Sequence, residues 1–338
     1  MVTIYEIAKE LNISPATVSR ALNNKPNVSK STKKAVISIA EKLHYVPNSL
    51  ASSLRNGRGK TIGIIVPQIN HQFFSSIIHG AEKTLISKDY NLLICQSNES
   101  FVKEVQSINS LLSSRVDGIL ISHSKETTTP EHLTNIIKAG IPLVQFDRVF
   151  PNIGTSYVTN DNYNSSYHSV VHLLEQGYTR IAHLHGPITS KVHQDRKKGY
   201  EQAILNAGIE IFQDHILEGT TEETGYNAAK KLMNLKNPPD AFFCASDYSA
   251  LGVLNYALEN NLKVPKDIGI VGFANEPFTR LTRPKITTLD QFSENIGIEA
   301  ATILLNELED KESTIRRTYS LVPSLTLRES SMRLDANK

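Results

Sequence analysis

The chain has 338 residues, too many for one small core, so two or three domains are expected. Its 40% hydrophobic and 21% charged residues are ordinary globular values and exclude wholesale disorder. The formal net charge is only +2, but residues 1–60 hold ten Lys or Arg against three Glu, a surplus of +7 that leaves −5 for the rest. A basic head on a mildly acidic body implies that only the head meets a polyanion.

The first element is "TIYEIAKEL": Thr3 and Glu6 have capping-box spacing, and Ile4, Ile7, Ala8 and Leu11 follow helical periodicity. "NIS" allows a tight turn before a second helix in "NISPATVSRALN". Ser14 caps it, Pro15 suits its first position, and Val18 and Leu22 share one face. The opposite face carries Ala16, Thr17, Ser19, Arg20 and Asn23, which are small side chains, hydroxyls and one guanidinium, a surface shaped for close approach. Ser29 opens a third helix with an apolar seam of Thr32, Val36, Ala40 and Leu43, ended by "HYVP". Three short helices, the first two joined as a helix-turn-helix, make a small bundle. In "NSLASSLRNGRGK", Asn48 opens a piece with Leu50 and Leu54 on one side. A helix of that size is below the ~12–15 residues needed for independent stability, so it forms only when held. Gly57 and Gly59 with their basic neighbours then read as a linker.

From Thr61 the texture changes to short apolar runs: "TIGIIVP", "YNLLICQS", "VDGILISHS" and "IPLVQFD", with helical stretches beginning near Phe73, Val102 and Glu131. The alternation resumes with "YVTND", "RIAHLHG", "HILEG", "DAFFCAS" and "DIGIVGF". Continuous Ile/Val/Leu strands spaced by helices predict two doubly wound parallel sheets, with "ITTLDQ", a helix near 293–309 and "TYSLVPSLTLR" crossing back to complete both. The apolar runs are strand-sized, far below the ~20 residues that span a bilayer, and "MVTIYEIAKE" does not read as a secretion signal. Cys95 and Cys244 stand alone, without CxxC, as free thiols of a reducing cytoplasm.

No GxGxxG, P-loop, GxSxG or HExxH is present, so no catalytic residue, metal site or cofactor is assigned. His183 and His185 share a strand face and are read as strand-end packing. Asp147, Asp161 and Asp247 each follow a strand, where they either bind a polar ligand or cap the next turn. The head is more telling. An Arg bridging guanine O6 and N7, with hydroxyls and small side chains beside it, is what a helix needs in a major groove. Ala16, Thr17 and Arg20 supply this, while Ser14, Asn23, Ser29, Tyr45 and Asn48 suit phosphate contacts.

The segment "TIYEIAKELNISPATVSRALNNKPNVSKSTKKAVISIAEKLHYVPNSLASSLR" resembles the DNA-binding head and hinge of the lactose-repressor (LacI/GalR) family. The likeness continues through "KTIGIIVPQINHQFF", "GPITSKVHQDRKKGY", "CASDYSALG" and "VPKDIGIVGFANEP". The resemblance implies a helix-turn-helix domain at 1–46 and a hinge helix and linker at 47–60. It also implies an N-terminal core subdomain at 61–160 plus 291–318, a C-terminal one at 161–290 plus 319–331, and a small-molecule cleft between them. It implies a sequence-specific transcription regulator, most often a repressor, acting as a homodimer on double-stranded DNA with a pseudo-palindromic operator. Leu54 matches a leucine that wedges into the minor groove, flanked by Ala51 and Arg55. In the cleft Phe73, Phe74 and Arg196 match effector positions, joined by Asp147, Asp161 and Asp247 on cleft loops. Where the family commonly carries Asp in "GFD", this chain has Ala274, so either Asn275 or Glu276 takes its place or the effector differs. The end, "LDANK", lacks a Leu heptad tail, which favours a dimer over a tetramer. A transport solute-binding protein would share the core, but the basic head and the missing signal peptide argue against it. A cytosolic α/β enzyme lacks a recognisable nucleophile, base and orienting group.

Overall fold

The computed structural model describes residues 2–45, 59–310 and 315–333, and the chain divides into two compact units, residues 1–59 and 60–338. The expectations for the hinge residues Asn48, Ala51, Leu54 and Arg55 lie outside the described residues.

The head is three helices, α1 (Ile4–Glu10), α2 (Pro15–Leu22) and α3 (Lys30–Lys42). Each begins at a hydroxyl residue, as the local chemistry demands. The Thr3 amide donates to Glu6 Oε2 at 2.7 Å, and the Ser14 and Ser29 hydroxyls each accept from the backbone amide three residues on, both at 3.1 Å. Ile7, Ala8, Val18, Ala21, Val36 and Ala40 are buried between the helices. The predicted seam of α3 is therefore carried inward by Val36 and Ala40, with Leu43 partly buried against it.

The body holds two six-stranded sheets. The first contains β1 (Thr61–Val66), β2 (Asn91–Gln96), β3 (Gly118–Ile121), β4 (Leu143–Phe146), β5 (Ser156–Asn160) and β11 (Thr318–Leu321), in the order β11-β5-β4-β3-β1-β2. The second contains β6 (Ile181–His185), β7 (Ile216–Glu218), β8 (Ala241–Cys244), β9 (Gly269–Phe273), β10 (Thr287–Asp290) and β12 (Ser324–Thr326), in the order β12-β10-β9-β8-β6-β7. Strand order reverses at β1/β3 and again at β6/β8, the switch points outside which ligands bind in open α/β sheets.

Both faces of each sheet are covered, which is why its central strands read as unbroken apolar runs. On the first sheet, α4 (Gln72–Ile86) and α11 (Ser293–Glu309) pack with Ile62, Ile64, Val144 and Phe146, while α5 (Phe101–Ser113) and α6 (Glu131–Lys138) cover the face of Ile65, Ile119 and Ile121. The α4–α11 contact is close enough that a Cβ on Gly80 would lie 2.1 Å from the Glu294 carbonyl, so this crossing requires glycine. On the second sheet, α9 (Glu222–Met233) and α10 (Asp247–Glu259) cover one face, and α7 (Asn162–Glu175) and α8 (Lys191–Asn206) the other.

The chain passes between the sheets three times: after β5, after β10 and after β11. One expectation is corrected at the last crossing. β11 pairs with β5 over Thr318–Leu321, so the first subdomain runs through Leu321 and does not end at 318. β12 then runs antiparallel to β10, an exception to the parallel order. The reason is directional. Strands of both sheets end at the shared cleft, so a chain leaving one sheet at its carboxyl edge enters the other against its strands.

Candidate functional site

The carboxyl ends of β1, β4, β6, β8 and β9 converge on a cavity of about 350 Å³ between the two sheets. One wall comes from the first subdomain. Phe73 and Phe74 open α4 and meet edge to face with ring centres 5.0 Å apart; Phe74 also anchors in the core, while Phe73 is only partly buried. Asp147 follows β4 with a positive φ of 58°, and one carboxylate oxygen accepts from Ser122 Oγ at 3.2 Å. Burial raises its pKa, although Arg148 and Arg196 pull it back. Arg148 itself is taken: its guanidinium forks onto Glu99 at 2.6 and 3.0 Å.

The other wall is built around Arg196 on α8. Its Nε donates to Asn162 Oδ1 at 2.9 Å, Nη1 to the Ala245 carbonyl at 2.8 Å and Nη2 to Gln291 Oε1 at 3.1 Å. The guanidinium stacks 3.5 Å above the Phe273 ring. Burial lowers its pKa to about 9, which still leaves a cation at neutral pH. Gln291 Oε1 also accepts from Asn160 Nδ2 at 3.1 Å, so Arg196 is bonded to groups at two of the three crossings.

Asp247 opens α10, and both of its oxygens are occupied from within the protein. Oδ1 accepts from Thr288 Oγ1 at 2.6 Å, and Oδ2 from the Glu276 amide at 2.8 Å. Gly272 makes room for it, since a Cβ there would lie 2.1 Å from Oδ1. Burial pushes Asp247 up to about 7. Ser190 and His193, near the start of α8, also line the cavity, and Ser190 Oγ and His193 Nδ1 are buried without a hydrogen-bond partner among the described residues.

The structure brings Phe73, Phe74, Asp147, Arg196 and Asp247 to one cavity, and it removes two expected members. Asp161 caps α7, accepting from the Asn164 amide at 3.0 Å and from Asn164 Nδ2 at 2.7 Å, and does not line the cavity. Asn275 is spent inside the second subdomain. Its Nδ2 donates to Asp290 at 3.0 Å and its Oδ1 accepts from Arg328 at 2.7 Å. Asn275 therefore does not replace the acceptor missing at Ala274, and Glu276 is the neighbour that faces the cavity. Sequence reasoning missed Gln291, His193 and the Arg148–Glu99 pair. Of these only Gln291 carried a signal, standing just after a strand as Asp147 does. His183 and His185 are no ligand pair: His183 is buried between the rings of Tyr200 and Phe243 at 5.1 and 5.0 Å. Among the described residues no group of three or more His, Cys, Asp or Glu has metal-holding geometry, and no helix is long and apolar enough to cross a membrane.

In the head, the face of α2 anticipated for close contact is outward. Ala16, Arg20 and Asn23 are exposed and Thr17 is partly so, whereas Val18 and Ala21 point to the core. Arg20 makes no side-chain hydrogen bond or ion pair among the described residues. Thr17 Oγ1 shares a 2.9 Å hydrogen bond with Ser14 Oγ, and Asn23 Nδ2 donates to the Ser19 carbonyl at 2.7 Å. Tyr45 packs partly against the head core.

A helix-turn-helix head joined to a two-walled polar cavity defines a DNA-binding transcription regulator that responds to a small molecule. Residues 3–48 match the bacterial regulatory proteins of the lacI family, and residues 59–325 match the periplasmic binding proteins and sugar binding domain of the LacI family. The chain belongs to the LacI family. It is 32% identical to the catabolite control protein A of Priestia megaterium, covering 98% of this chain and 99% of that one. It is 31% identical to the HTH-type transcriptional repressor PurR of Haemophilus influenzae, over 98% of each. Among solved structures, a transcriptional regulator CelR–cellobiose complex aligns with a TM-score of 0.74 at 27% identity, over 98% of this chain and 100% of that one. A lac repressor dimer bound to operator shares the fold with a TM-score of 0.88 at 22% identity, over 98% and 99%.

Proposed function

We propose that the cleft takes a sugar or sugar derivative, and that its occupancy decides whether the head holds its operator. The observation that carries this reading is the placing of Asp147 and Arg196 on opposite walls of one cavity. A carboxylate acceptor facing a guanidinium donor matches adjacent hydroxyls, each of which both donates and accepts. Phe73 offers an apolar surface for the C–H face of such a ring. About 350 Å³ suits a compact ligand, at the small end of the ~300–1,000 Å³ usual for such sites. The cellobiose held by the CelR relative belongs to the same chemical class.

On the DNA side, Ala16, Thr17 and Arg20 read base edges in the major groove. Ser14, Asn23, Ser29 and Tyr45 fix the register on phosphates, and Asn48, Ala51, Leu54 and Arg55 follow at the hinge. A homodimer on a pseudo-palindromic operator doubles this small set of contacts. The protein works in the cytoplasm as a regulator without catalysis of its own.

Thermal-shift screening of the full chain against monosaccharides, disaccharides, sugar phosphates and nucleosides tests the effector class. Binding at 100 times Kd stabilises by about 2.7 kcal/mol, so a true effector is visible. Stabilisation by a sugar is expected; stabilisation by nucleosides alone overturns the reading. For the head, Arg20→Ala on DNA sites selected from genomic fragments is expected to lower specific affinity by about 1–3 kcal/mol while leaving the salt slope unchanged. Equal losses on selected and random DNA remove Arg20 from base reading.

A further inference from the structure

Beside the main cavity lies a second, smaller one at the first crossing. It encloses about 100 Å³ among the chain after β4, strand β5 and the start of α8. Asp147, Arg148, Ser190 and Val192 line both spaces and so form the partition between them. A water takes up roughly 30 Å³ of liquid, which gives this compartment room for about three non-hydrogen atoms. That is the size of an arm on a ring, not of a second ring.

The lining restricts what the arm can be. Val149, Pro151, Tyr157 and Val192 give the space an apolar side. Its two cations are already paired: Lys191 Nζ donates to both oxygens of Asp195 at 2.9 and 2.7 Å, and Arg148 forks onto Glu99. Asp147 stands in the partition with one internal bond, from Ser122. A carboxylate there repels an acidic arm and accepts from an N–H or O–H. The start of α8 supplies donors. Its N-cap, Ser190, makes no side-chain cap bond, and the first amides to bond back are those of His193 and Gln194, to the Ser190 carbonyl at 3.1 and 3.0 Å. The amides of Lys191 and Val192 precede them and have no carbonyl to reach within the helix. Ser190 is 6% exposed, and its hydroxyl has no hydrogen-bond partner among the described residues. These donors, with the positive end of the helix dipole, favour an acceptor oxygen and disfavour an ammonium.

We propose, resting on the sugar reading, that this compartment receives the acetyl group of an acetamido sugar whose ring occupies the main cavity. The amide N–H lies at the partition and donates to Asp147. The carbonyl oxygen accepts from the opening of α8, and the methyl group packs on Val149 and Pro151. A hydroxymethyl arm lacks the apolar end, a phosphate or carboxylate arm meets Asp147, and an ammonium arm meets the start of α8.

Isothermal titration calorimetry on the full chain tests it with matched pairs: N-acetylglucosamine and glucose, N-acetylgalactosamine and galactose, N-acetylmannosamine and mannose. Glucosamine and glucuronate serve as controls with charged arms. In at least one pair the acetamido sugar is expected to bind about tenfold tighter than its parent, and tighter than either charged sugar. Val149→Phe, which fills the compartment, is expected to bring that ratio to about one, and Ser190→Ala to lower it about threefold, with cooperative melting kept in both. Parents that bind as tightly as their acetamido partners overturn the acetyl compartment and leave the sugar reading standing. Silence from all three acetamido sugars overturns it too, whereas the sugar reading falls only if the thermal-shift panel yields no sugar. A ratio unmoved by both variants overturns the placing of the acetyl group.

Discussion

The two walls of the cleft present the same kind of residue, an aspartate just after a strand, and use it in opposite ways. Asp147 has one internal bond, from Ser122, and keeps acceptor capacity for whatever enters. Asp247 is consumed by Thr288 and the Glu276 amide and organises the wall behind it. Asp161, with the same strand-end position, faces neither task and caps α7. What separates Asp147 from Asp247 is how many donors the tertiary structure turns toward each carboxylate, whereas Asp161 takes its donors from Asn164, close by in the chain.

The largest effect is expected at Asp247. Asp247→Ala strands the Thr288 hydroxyl and the Glu276 amide, costing about 2–4 kcal/mol of stability in urea unfolding. Its titration sharpens the same point. The folded pKa, about 7, lies above the ordinary 3.8, so the folded state binds the proton more tightly. The stabilisation is complete below about 3.8 and is lost as pH rises through about 7. Stability measured from pH 4 to 7 in Asp247→Asn should lack that downward contribution; an unchanged slope would assign it elsewhere. Asp147→Asn is expected to act on binding instead. The sugar identified by thermal shift should bind about 10–100-fold more weakly by calorimetry, with little change in the melting temperature of the free protein. If the two variants exchange these phenotypes, the contrast between the walls is wrong. The smallest effect belongs to Asp161→Ala, about 1 kcal/mol for a lost helix cap, with calorimetric affinity for the sugar unaltered.

Much of this architecture is legible in the sequence. Apolar runs reveal buried parallel strands because period and composition are local, and Ser14, Pro15 and Ser29 announce helix starts because capping is local too. The antiparallel entry of β12 was not legible, since it follows from both sheets sharing a carboxyl edge. Phe73 and Arg196 could be placed at the cavity from motif positions, and Asp147 from its place after a strand. Asn275 could not be excluded that way, because Asp290 and Arg328, which absorb its side chain, lie 15 and 53 residues further on. The requirement for glycine at 272 is likewise non-local, because the Asp247 carboxylate packs against it.

The bonding of Arg196 has a mechanical consequence. Its guanidinium grips Asn162 just past the first crossing and Gln291 at the second. The Arg196 guanidinium thus ties α8 to two of the three segments that join the subdomains.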